Sequence, residues 1–341
     1  MQRGKRSLTL ILSVLLLLVA LLTPLGGASA ASNQASVYLV ALNDTSGAGG
    51  TAGCGDSLVP VTVDLGSAST TEAKISAALT RVFAIHSQYY GQSGLYDALY
   101  QSHLTVDSVR LDGTRAIVNL SCSFSLGGEC DTPRVLGQIE RTITQFSGAD
   151  STYVVYKGNL LQFVLSGQGQ PPNYRFFPET DHLVGNGFLN YWKTYGGLAV
   201  FGYPISDEMV QNGVTVQWFE RARFEWHPGS DPAHFDVLLG LLGNEATTSR
   251  QGSGPFARAS QNNAGGCVYF AATGHNLCGG FYAYWKKFGG LAIYGMPISE
   301  EFVENGVRVQ YFERQRFEWH PGAWPQRYDV ELGLLGVQLY R

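Results

Sequence analysis

The stretch FGYPISDEMVQNGVTVQWFERARFEWHPG, residues 201–229, returns 93 positions later as YGMPISEEFVENGVRVQYFERQRFEWHPG, residues 294–322. In the first copy, apolar and polar residues alternate over 213–220 and again over 223–227, on either side of a short polar break. Alternation with a period of two is typical of β-strands, so each copy predicts a β-hairpin. The sequence therefore predicts a β-rich structure that is built twice.

The duplication extends well beyond the hairpins. Residues 174–243 align with 267–336 without an insertion, and roughly 40 of ~70 aligned positions are identical, which indicates an internal repeat. What is repeated is mostly aromatic residues, Gly and Pro, and not a set of acids, bases and nucleophiles. We therefore predict two small β-rich modules, 174–244 and 267–341, separated by a polar linker over 245–266.

Each module contains a short motif with an aromatic first residue, Gly and Pro, which is followed by Phe-Glu-Arg and an aromatic strand. The motifs are Phe201-Gly202-Tyr203-Pro204 and Tyr294-Gly295-Met296-Pro297. In this order the residues resemble LGFP repeats of exported bacterial proteins, with an aromatic residue in place of the motif's first Leu. LGFP repeats are thought to help attach proteins to the cell wall, so the resemblance implies that the modules bind a wall polymer.

Upstream of the modules, strand patterns alternate with two amphipathic helical patterns, which predicts an α+β domain over 36–166 with helices on one face of a small sheet. The helical patterns begin near Thr71 and Pro133. Strands are expected over 37–42, 58–63, 104–111, 116–120 and 152–156. A Gly- and Pro-containing linker, 167–173, follows the domain.

The residues of this domain also resemble a known family. Gly53-Cys54-Gly55-Asp56-Ser57-Leu58-Val59-Pro60, Gly94-Leu95-Tyr96-Asp97-Ala98-Leu99 and Thr142-Ile143-Thr144-Gln145-Phe146 are similar to the GerMN domain, the sporulation and germination domain of bacterial envelope proteins. The resemblance covers roughly 37–166. It implies an α/β sandwich of the ring-building type that associates or binds partners at the cell envelope, and it brings no catalytic residue.

The first 30 residues have the three parts of a secretory signal. A basic start with Arg3, Lys5 and Arg6 precedes an apolar run over 8–22, and Ala28-Ser29-Ala30 follows. We predict a signal peptide over 1–30 and a secreted or cell-envelope protein, with no membrane insertion after cleavage. An uncleaved N-terminal anchor is the alternative, because short apolar spans can persist in a membrane with tilt or bilayer thinning.

The charge of the chain argues against two classes of partner. The formal net charge is −4, and no cluster of Lys and Arg occurs outside the leader. Nucleic acids and anionic membrane surfaces bind through accumulated cations, so neither is an expected partner. The 42 Gly and the 15% of charged residues indicate short turns and β-rich modules.

Five Cys in an exported chain make disulfides plausible, because oxidising compartments preserve them. Cys267 and Cys278 are eleven residues apart and both are replaced in the first module, which predicts a local disulfide. The residues alone leave the pairing of Cys54, Cys122 and Cys130 open. The GerMN resemblance implies a bridge between Cys54 and Cys130 with Cys122 free, and a shorter bridge between Cys122 and Cys130 is the alternative.

The candidate ligand-binding residues are aromatic or charged and occur in both modules. Trp226 and Trp319 could stack on sugar rings, because an indole offers a flat apolar face with one donor at its edge. Neighbouring charges could hold a polar ligand, since Arg presents a planar donor fork to carboxylates. These charged candidates are Glu220, Arg221, Glu313 and Arg314. The structural alternatives are core tryptophans and salt bridges on an exposed hairpin face.

The sequence offers no motif for catalysis or metal binding. The His residues lack the spacings of metal-binding motifs, and the Cys residues lack C-x-x-C. No nucleophile elbow, phosphate loop or dinucleotide fingerprint is present in the sequence. We therefore expect no catalytic residue, no metal and no cofactor.

The leading hypothesis is an exported, non-enzymatic cell-envelope protein. Its GerMN-like domain would serve assembly, including self-assembly, or partner binding, and its repeats would bind a cell-wall polysaccharide or an envelope protein. Two linked weak sites would act by avidity if the linker at 245–266 spans their spacing. The alternatives are a hydrolase of glycan or peptidoglycan, with Glu220 and Glu225 or their copies as acid and base, and a structural spacer without a ligand.

Overall fold

A computed structural model describes residues 33–167 and 170–340. Within these residues the chain is an α+β protein with several small, mostly antiparallel sheets and short helices. The expected signal peptide, 1–30, lies outside the described residues. In the described ranges, no helix has both the length and the apolar character that a membrane crossing requires.

The N-terminal domain has two sheets, with strand orders β1-β3-β2 and β4-β5-β6-β7. Its elements are β1 Gln34–Ala41, β2 Thr51–Gly53, β3 Asp56–Asp64, α1 Thr71–Phe83, β4 His103–Asp112, β5 Arg115–Ser123, α2 Asp131–Thr144, β6 Ser151–Tyr156, β7 Asn159–Leu160 and α3 Leu161–Leu165. Strands β5 and β6 run parallel, and α2 supplies the crossover that parallel strands need. The predicted order of strand, helix, hairpin, helix and strand is confirmed, but the strands divide between two sheets.

Helix α1 has a capped first turn and one buried apolar face. The Thr70 hydroxyl caps its first turn by accepting a hydrogen bond from the Ala73 amide at 3.2 Å. Ile75, Leu79 and Val82 then fall at helical intervals and are fully buried. The helix contacts β1 of one sheet and β4 of the other. One hydrophobic core therefore joins both sheets of the domain.

A buried polar network crosses this core. The Gln138 amide on α2 donates to the Tyr38 carbonyl at 2.9 Å and to Asp97 Oδ1 at 3.1 Å. Asp97 Oδ1 also accepts from the Leu99 amide at 3.0 Å. The second carboxyl oxygen, Asp97 Oδ2, is buried and has no hydrogen-bond partner among the described residues. The network fixes the loop around Asp97 against α2 and β1, but it leaves one oxygen unsatisfied.

The stability of the domain should depend on the titration of Asp97. Burial raises its pKa from 3.8 to about 6, although the hydrogen bonds from Leu99 and Gln138 oppose the shift. Because the folded chain then binds this proton more tightly than the unfolded chain does, the free energy of unfolding should fall by up to about 3 kcal/mol as pH rises from about 4 to about 7. Urea unfolding across this range measures the slope. Asp97→Asn should remove the contribution of Asp97 to this pH dependence. If the free energy of unfolding of the variant fell with pH as steeply as before, Asp97 would not be its cause.

The two C-terminal modules have the same elements, and each boundary in the second lies 93 residues after its counterpart. The first has β8 Tyr174–Phe177, β9 His182–Gly185, α4 Asn186–Tyr195, α5 Gly197–Val200, β10 Met209–Gln211, β11 Val214–Trp218, β12 Arg223–Trp226, β13 Val237–Leu239 and α6 Leu242–Ala246. The second has β14 Cys267–Phe270, β15 His275–Cys278, α7 Gly279–Phe288, α8 Gly290–Ile293, β16 Phe302–Glu304, β17 Val307–Tyr311, β18 Arg316–Trp319, β19 Val330–Leu332 and α9 Leu335–Leu339. The predicted hairpins, β11 with β12 and β17 with β18, form the centres of two four-stranded antiparallel sheets.

Reciprocal contacts join the two repeats. The Asn244 amide donates to the Glu313 carbonyl at 3.2 Å, and at the equivalent position the Val337 amide donates to the Glu220 carbonyl at 3.1 Å. Such contacts are typical of a twofold interface, here within one chain. A shared buried cluster contains side chains of both repeats, namely Val216, Trp218, Leu242, Val309, Tyr311 and Leu335. The repeats therefore form one interlocked pair.

The segment 245–266, which we expected to be a linker, is not a free spacer. It contains 3-10 turns at Thr248–Arg250 and Gly254–Phe256, and Phe256 is buried in the shared cluster. The Arg250 guanidinium lies 4.6 Å from the centroid of the Phe256 ring and forms a 2.7 Å ion pair with Glu304. This segment therefore packs against the second repeat and is not a flexible tether. Its length does not set the distance between the two repeats.

The first repeat also packs against the N-terminal domain. Phe176 on β8 is buried in a cluster with Ile117, Val155 and Leu160 of that domain. An ion pair between Arg115 on β5 and Asp207 of the repeat lies beside it. The expected linker, 167–173, includes residues 168–169, which lie outside the described ranges. Where the domain and the first repeat meet, their surfaces enclose a cleft.

The described part of the chain contains two disulfides. Cys54 is bonded to Cys130, the pair that the GerMN resemblance implied, and the bridge spans a sequence separation of 76. Cys267 is bonded to Cys278 across a separation of 11 and joins the paired strands β14 and β15. Cys122 is a free, exposed thiol. The two bridges agree with an exported chain, since oxidising compartments preserve disulfides.

Candidate functional site

Trp226 lies at the end of β12, and 47% of its surface is exposed. Its ring borders a cavity of about 300 Å³ in the first repeat. We call this cavity the Trp226 groove, and its lining residues are Gly185, Asn186, Gly187, Phe188, Glu208, Thr215 and Trp226. An exposed indole beside polar groups suits a ligand that has an apolar face and polar edges.

A second cavity continues the Trp226 groove toward the N-terminal domain. It has a volume of about 280 Å³ and shares Gly185, Asn186 and Glu208 with the groove. The other lining residues are Arg115, Tyr153, Tyr174, Leu183 and Asp207. We call the two cavities together the junction cleft, because its walls come from both the domain and the repeat. An extended ligand can therefore contact both units at once.

Asp207 holds the wall of the junction cleft in place. It pairs with Arg115, its Oδ1 accepts from the Leu183 amide at 3.1 Å, and His182 Nδ1 lies 3.5 Å from the same oxygen. Burial alone would raise the pKa of Asp207, but the His182 contact, the charge of Arg115 and the Leu183 amide outweigh burial and lower it. Asp207 is therefore a charged structural residue.

Glu208, the next residue, differs from Asp207 in its surroundings. Partial burial of its carboxyl group, and then the negative charge of Asp207, raise the pKa of Glu208. The residue as a whole remains accessible to solvent, and it lines the junction cleft. Within 33–167 and 170–340, no cation or hydrogen-bond donor is paired with this carboxylate. Glu208 is therefore available to a ligand.

Asn186 is positioned at the rim by its backbone and by two neighbours. Its φ of 48° lies in the left-handed region, which Asn tolerates better than most residues. The side-chain amide donates to the Tyr174 hydroxyl at 3.1 Å, while its oxygen accepts from Asn173 at 2.8 Å. These contacts order a polar group at the groove before any ligand arrives, which lowers the entropy cost of binding.

The second repeat has the same tryptophan but a different neighbour. Thr215 is the cross-strand partner of Trp226, whereas Arg308 is the partner of Trp319. The Arg308 guanidinium lies 4.9 Å from the centroid of the Trp319 ring, and 37% of Trp319 is exposed. The two predicted tryptophans therefore lie in matching positions. In the part of the chain that the structure describes, an arginine lies over the Trp319 ring and none lies over the Trp226 ring.

The predicted charged residues of the first repeat lie away from the Trp226 groove. Glu220 Oε2 accepts from the Tyr203 amide at 3.1 Å, which closes a turn. Arg221 Nη1 donates to the Leu198 carbonyl at 3.2 Å, and Arg221 Nε donates to the Leu332 carbonyl of the other repeat at 3.1 Å. The Arg221 side chain and the backbone carbonyl of Glu220 thus contact the other repeat, whereas the Glu220 side chain bonds within its own repeat.

Their copies in the second repeat make the equivalent contacts. Glu313 Oε2 accepts from the Met296 amide at 2.9 Å. Arg314 Nη1 donates to the Leu291 carbonyl at 3.3 Å, and Arg314 Nε donates to the Leu239 carbonyl at 3.4 Å. Arg314 therefore also contacts the other repeat, across the interface between the two repeats. Neither charged pair lines the Trp226 groove, so these four residues are not part of the candidate site.

Comparisons with known proteins do not assign the chain to a family. No family model matches it, and no curated protein matches it. Among solved structures, the chain is similar to a crystal structure described as "Putative Lipoprotein from Clostridium perfringens", with 16% sequence identity and a TM-score of 0.23. The match covers 45% of this chain and 87% of that one. A likeness at this level does not establish a shared fold or function.

Proposed function

We propose that this chain is an exported, non-enzymatic protein of the bacterial cell envelope that binds a cell-wall polysaccharide in the junction cleft. The observation that supports this proposal is the half-exposed Trp226 ring beside the ordered amide of Asn186 and the unpaired carboxylate of Glu208. In the same proposal, the N-terminal unit is a GerMN-like domain for assembly or partner contact. The interlocked modules are LGFP-like repeats.

The chemistry of the junction cleft suits a saccharide. A pyranose ring has an apolar face that can stack on an indole, and its edges carry hydroxyl groups that need hydrogen-bond partners. Asn186 and Glu208 supply such partners next to Trp226. Tyr174 and Tyr153 line the continuation of the cleft and offer further aromatic surface and hydroxyl groups. A polysaccharide of more than one ring can therefore follow the cleft along its length.

The packing of the first repeat against the N-terminal domain supports one oriented site. The packing of Phe176 and the Arg115–Asp207 pair fix the first repeat against the N-terminal domain. Because both walls of the cleft are held, little conformational freedom is lost when a ligand binds. Affinity in this proposal comes from preorganisation of a single cleft.

Glycan hydrolysis is a second candidate function that one observation favours. The pKa of Glu208 is raised and the pKa of the adjacent Asp207 is lowered, and acid–base pairs in hydrolases show such a separation. However, Asp207 is engaged by Arg115 and the Leu183 amide. Glu225, which the sequence suggested as an acid or base, is held by Arg223 and His227. Hydrolysis would therefore depend on Glu208.

Replacing the exposed indole should weaken wall binding strongly. We expect Trp226→Ala to reduce the affinity for insoluble cell wall by roughly 30-fold, because about 2 kcal/mol of apolar contact is lost. Co-sedimentation of the purified protein with wall material measures this change. Trp319→Ala is the matched control and should have a much smaller effect, since Arg308 lies over that ring.

The same assay separates the alternatives. An equal loss for Trp226→Ala and Trp319→Ala would contradict a site in the first repeat. If the unmodified chain released soluble sugar and the Glu208→Gln variant did not, the protein would be a hydrolase and not only a binding protein. No sedimentation of the unmodified chain at all would support the structural spacer.

A further inference from the structure

The internal duplication provides a comparison between two versions of the Trp226 groove. Both repeats place a tryptophan at the end of a central strand, and in both a glutamate follows an acidic residue before the first strand of the four-stranded sheet: Glu208 in one, Glu301 in the other. The cross-strand neighbour of the tryptophan is Thr215 in one repeat and Arg308 in the other. Arg308 covers the tryptophan of the second repeat, whereas the shorter Thr215 leaves the tryptophan of the first repeat uncovered.

In the second repeat, a cation of the chain lies over the indole. The Arg308 guanidinium lies 4.9 Å from the centroid of the Trp319 ring, within the range of a cation–π interaction. Burial raises the pKa of Glu301, and the positive charge of Arg308 opposes that rise. Arg308 thus covers the Trp319 ring, and its positive charge acts on Glu301 without forming an ion pair within 4 Å in the described part of the chain.

In the first repeat, the same two groups face a cavity instead of a cation. Trp226 and Glu208 line one groove, and the short, uncharged Thr215 lies where Arg308 stands in the copy. Among the described residues, no cation lies over the Trp226 ring and none pairs with Glu208. An indole face beside an uncompensated carboxylate attracts a cation through the ring quadrupole and through direct charge.

We propose that the Trp226 groove binds the ammonium group of a de-N-acetylated amino sugar, which takes the position that Arg308 holds in the second repeat. This inference rests on the proposed function and names the class of sugar. An amino sugar carries its charge on the same ring that stacks on the indole, so one compact residue satisfies Trp226 and Glu208 together. Its neighbouring rings then lie along the cleft toward Tyr174.

Calorimetric titration of the purified protein with two tetrasaccharides tests the inference. We expect the glucosamine tetramer to bind about tenfold more tightly than the N-acetylglucosamine tetramer, because only the former offers a charged donor to Glu208. The preference should shrink as salt is raised, since salt screens the charge interaction at an exposed site. Oligolysine serves as a third probe that has the charge but no sugar ring.

Exchanging the residues of the two repeats provides matched variants. Thr215→Arg copies the arrangement of the second repeat into the first, and we expect it to weaken binding of the glucosamine tetramer at least about tenfold by filling the groove. Arg308→Thr makes the reverse exchange beside Trp319. It should leave the affinity of the Trp226 groove unchanged and, by the same reasoning, open a second site that calorimetry detects as a higher stoichiometry. Glu208→Gln keeps the shape of the groove and should remove the preference for the charged sugar without removing binding of the acetylated one.

The possible outcomes distinguish this inference from the proposed function. Equal binding of both tetramers, unaffected by Glu208→Gln, overturns the amino-sugar assignment and leaves a glycan site in place. If neither tetramer binds and the protein does not sediment with cell wall, the proposed function fails as well. If oligolysine binds as tightly as the glucosamine tetramer and Thr215→Arg abolishes both, the groove recognises basic protein segments and the amino-sugar assignment is wrong.

Discussion

Gly243→Ala should open the joint between the two repeats and destabilise the C-terminal unit by more than about 3 kcal/mol. A Cβ atom at Gly243 would lie 1.8 Å from the carbonyl oxygen of Phe312, and one at Gly336 would lie 1.8 Å from the carbonyl oxygen of Phe219. Both obstacles are backbone atoms, so rotamer changes cannot relieve the clash. The adjacent amide of Asn244 bonds to Glu313, and that bond would also have to break.

Thermal unfolding measures this effect, and a second glycine provides the control. We expect the unfolding midpoint of Gly243→Ala to fall by about 10 °C or more, and that of Gly336→Ala to fall similarly. Gly280→Ala in helix α7 should be neutral or slightly stabilising, because its Cβ would meet nothing closer than 3.6 Å. If Gly243→Ala behaved like Gly280→Ala, the close approach of the repeats would be refuted.

The second large effect concerns the disulfide of the N-terminal domain. Removing Cys54 and Cys130 together by substitution with Ala should cost about 4.5 kcal/mol, whereas removing Cys267 and Cys278 should cost about 2.8 kcal/mol. The reason is loop length, since the first bridge closes a separation of 76 residues and the second closes one of 11. A longer closed loop removes more conformational entropy from the unfolded chain.

The distribution of tryptophans allows the two losses to be assigned. All six tryptophans lie in the repeats, so their fluorescence follows the C-terminal unit, while far-ultraviolet circular dichroism follows the whole chain. In urea, the Cys54–Cys130 double variant should show a circular dichroism transition that begins before the fluorescence transition. The Cys267–Cys278 double variant should shift the fluorescence transition. A larger loss of stability in the second variant than in the first would contradict the loop-length argument.

The sequence predicts the local elements well because their signals are periodic. The alternation around Trp218 and Phe224 predicted the hairpin of strands β11 and β12, and the spacing of Ile75 and Leu79 predicted helix α1. The joint between the repeats has no such signal. It depends on backbone approach at Gly243, and a glycine gives no indication of what approaches it. A contact between distant segments that involves only backbone atoms leaves no pattern in the sequence.

The segment 245–266 is a second case in which local sequence did not predict a contact between distant residues. Its polar composition indicated a linker, but Phe256 anchors it in the shared core and Arg250 covers that ring. One large apolar residue in a polar stretch is too weak a signal to predict packing. Burial of Phe256 depends on Tyr311 and Phe302, which are distant in sequence.

The candidate site could be predicted only in part. The sequence points to Trp226 because an indole offers a flat apolar face for stacking. Asn186, Glu208 and Thr215 come from separate segments that only the fold brings together. The charged residues around Glu220 are candidates in the sequence because the same residues occur in both repeats. The structure gives a structural reason for this, because in each repeat they contribute to the interface with the other repeat. The most informative position for the site is one at which the two repeats differ: the first repeat has Thr215 where the second has Arg308.

The reciprocal joint has a consequence for the ancestry of this chain. A gene that encoded a lone repeat would have exposed the surface around Leu242 or Leu335 to water, so its product would have needed a second identical molecule to cover it. Such a pair would have carried two equal grooves. Within one polypeptide the two halves can differ, and in the present chain Arg308 contacts the tryptophan of one half while Trp226 of the other half is exposed.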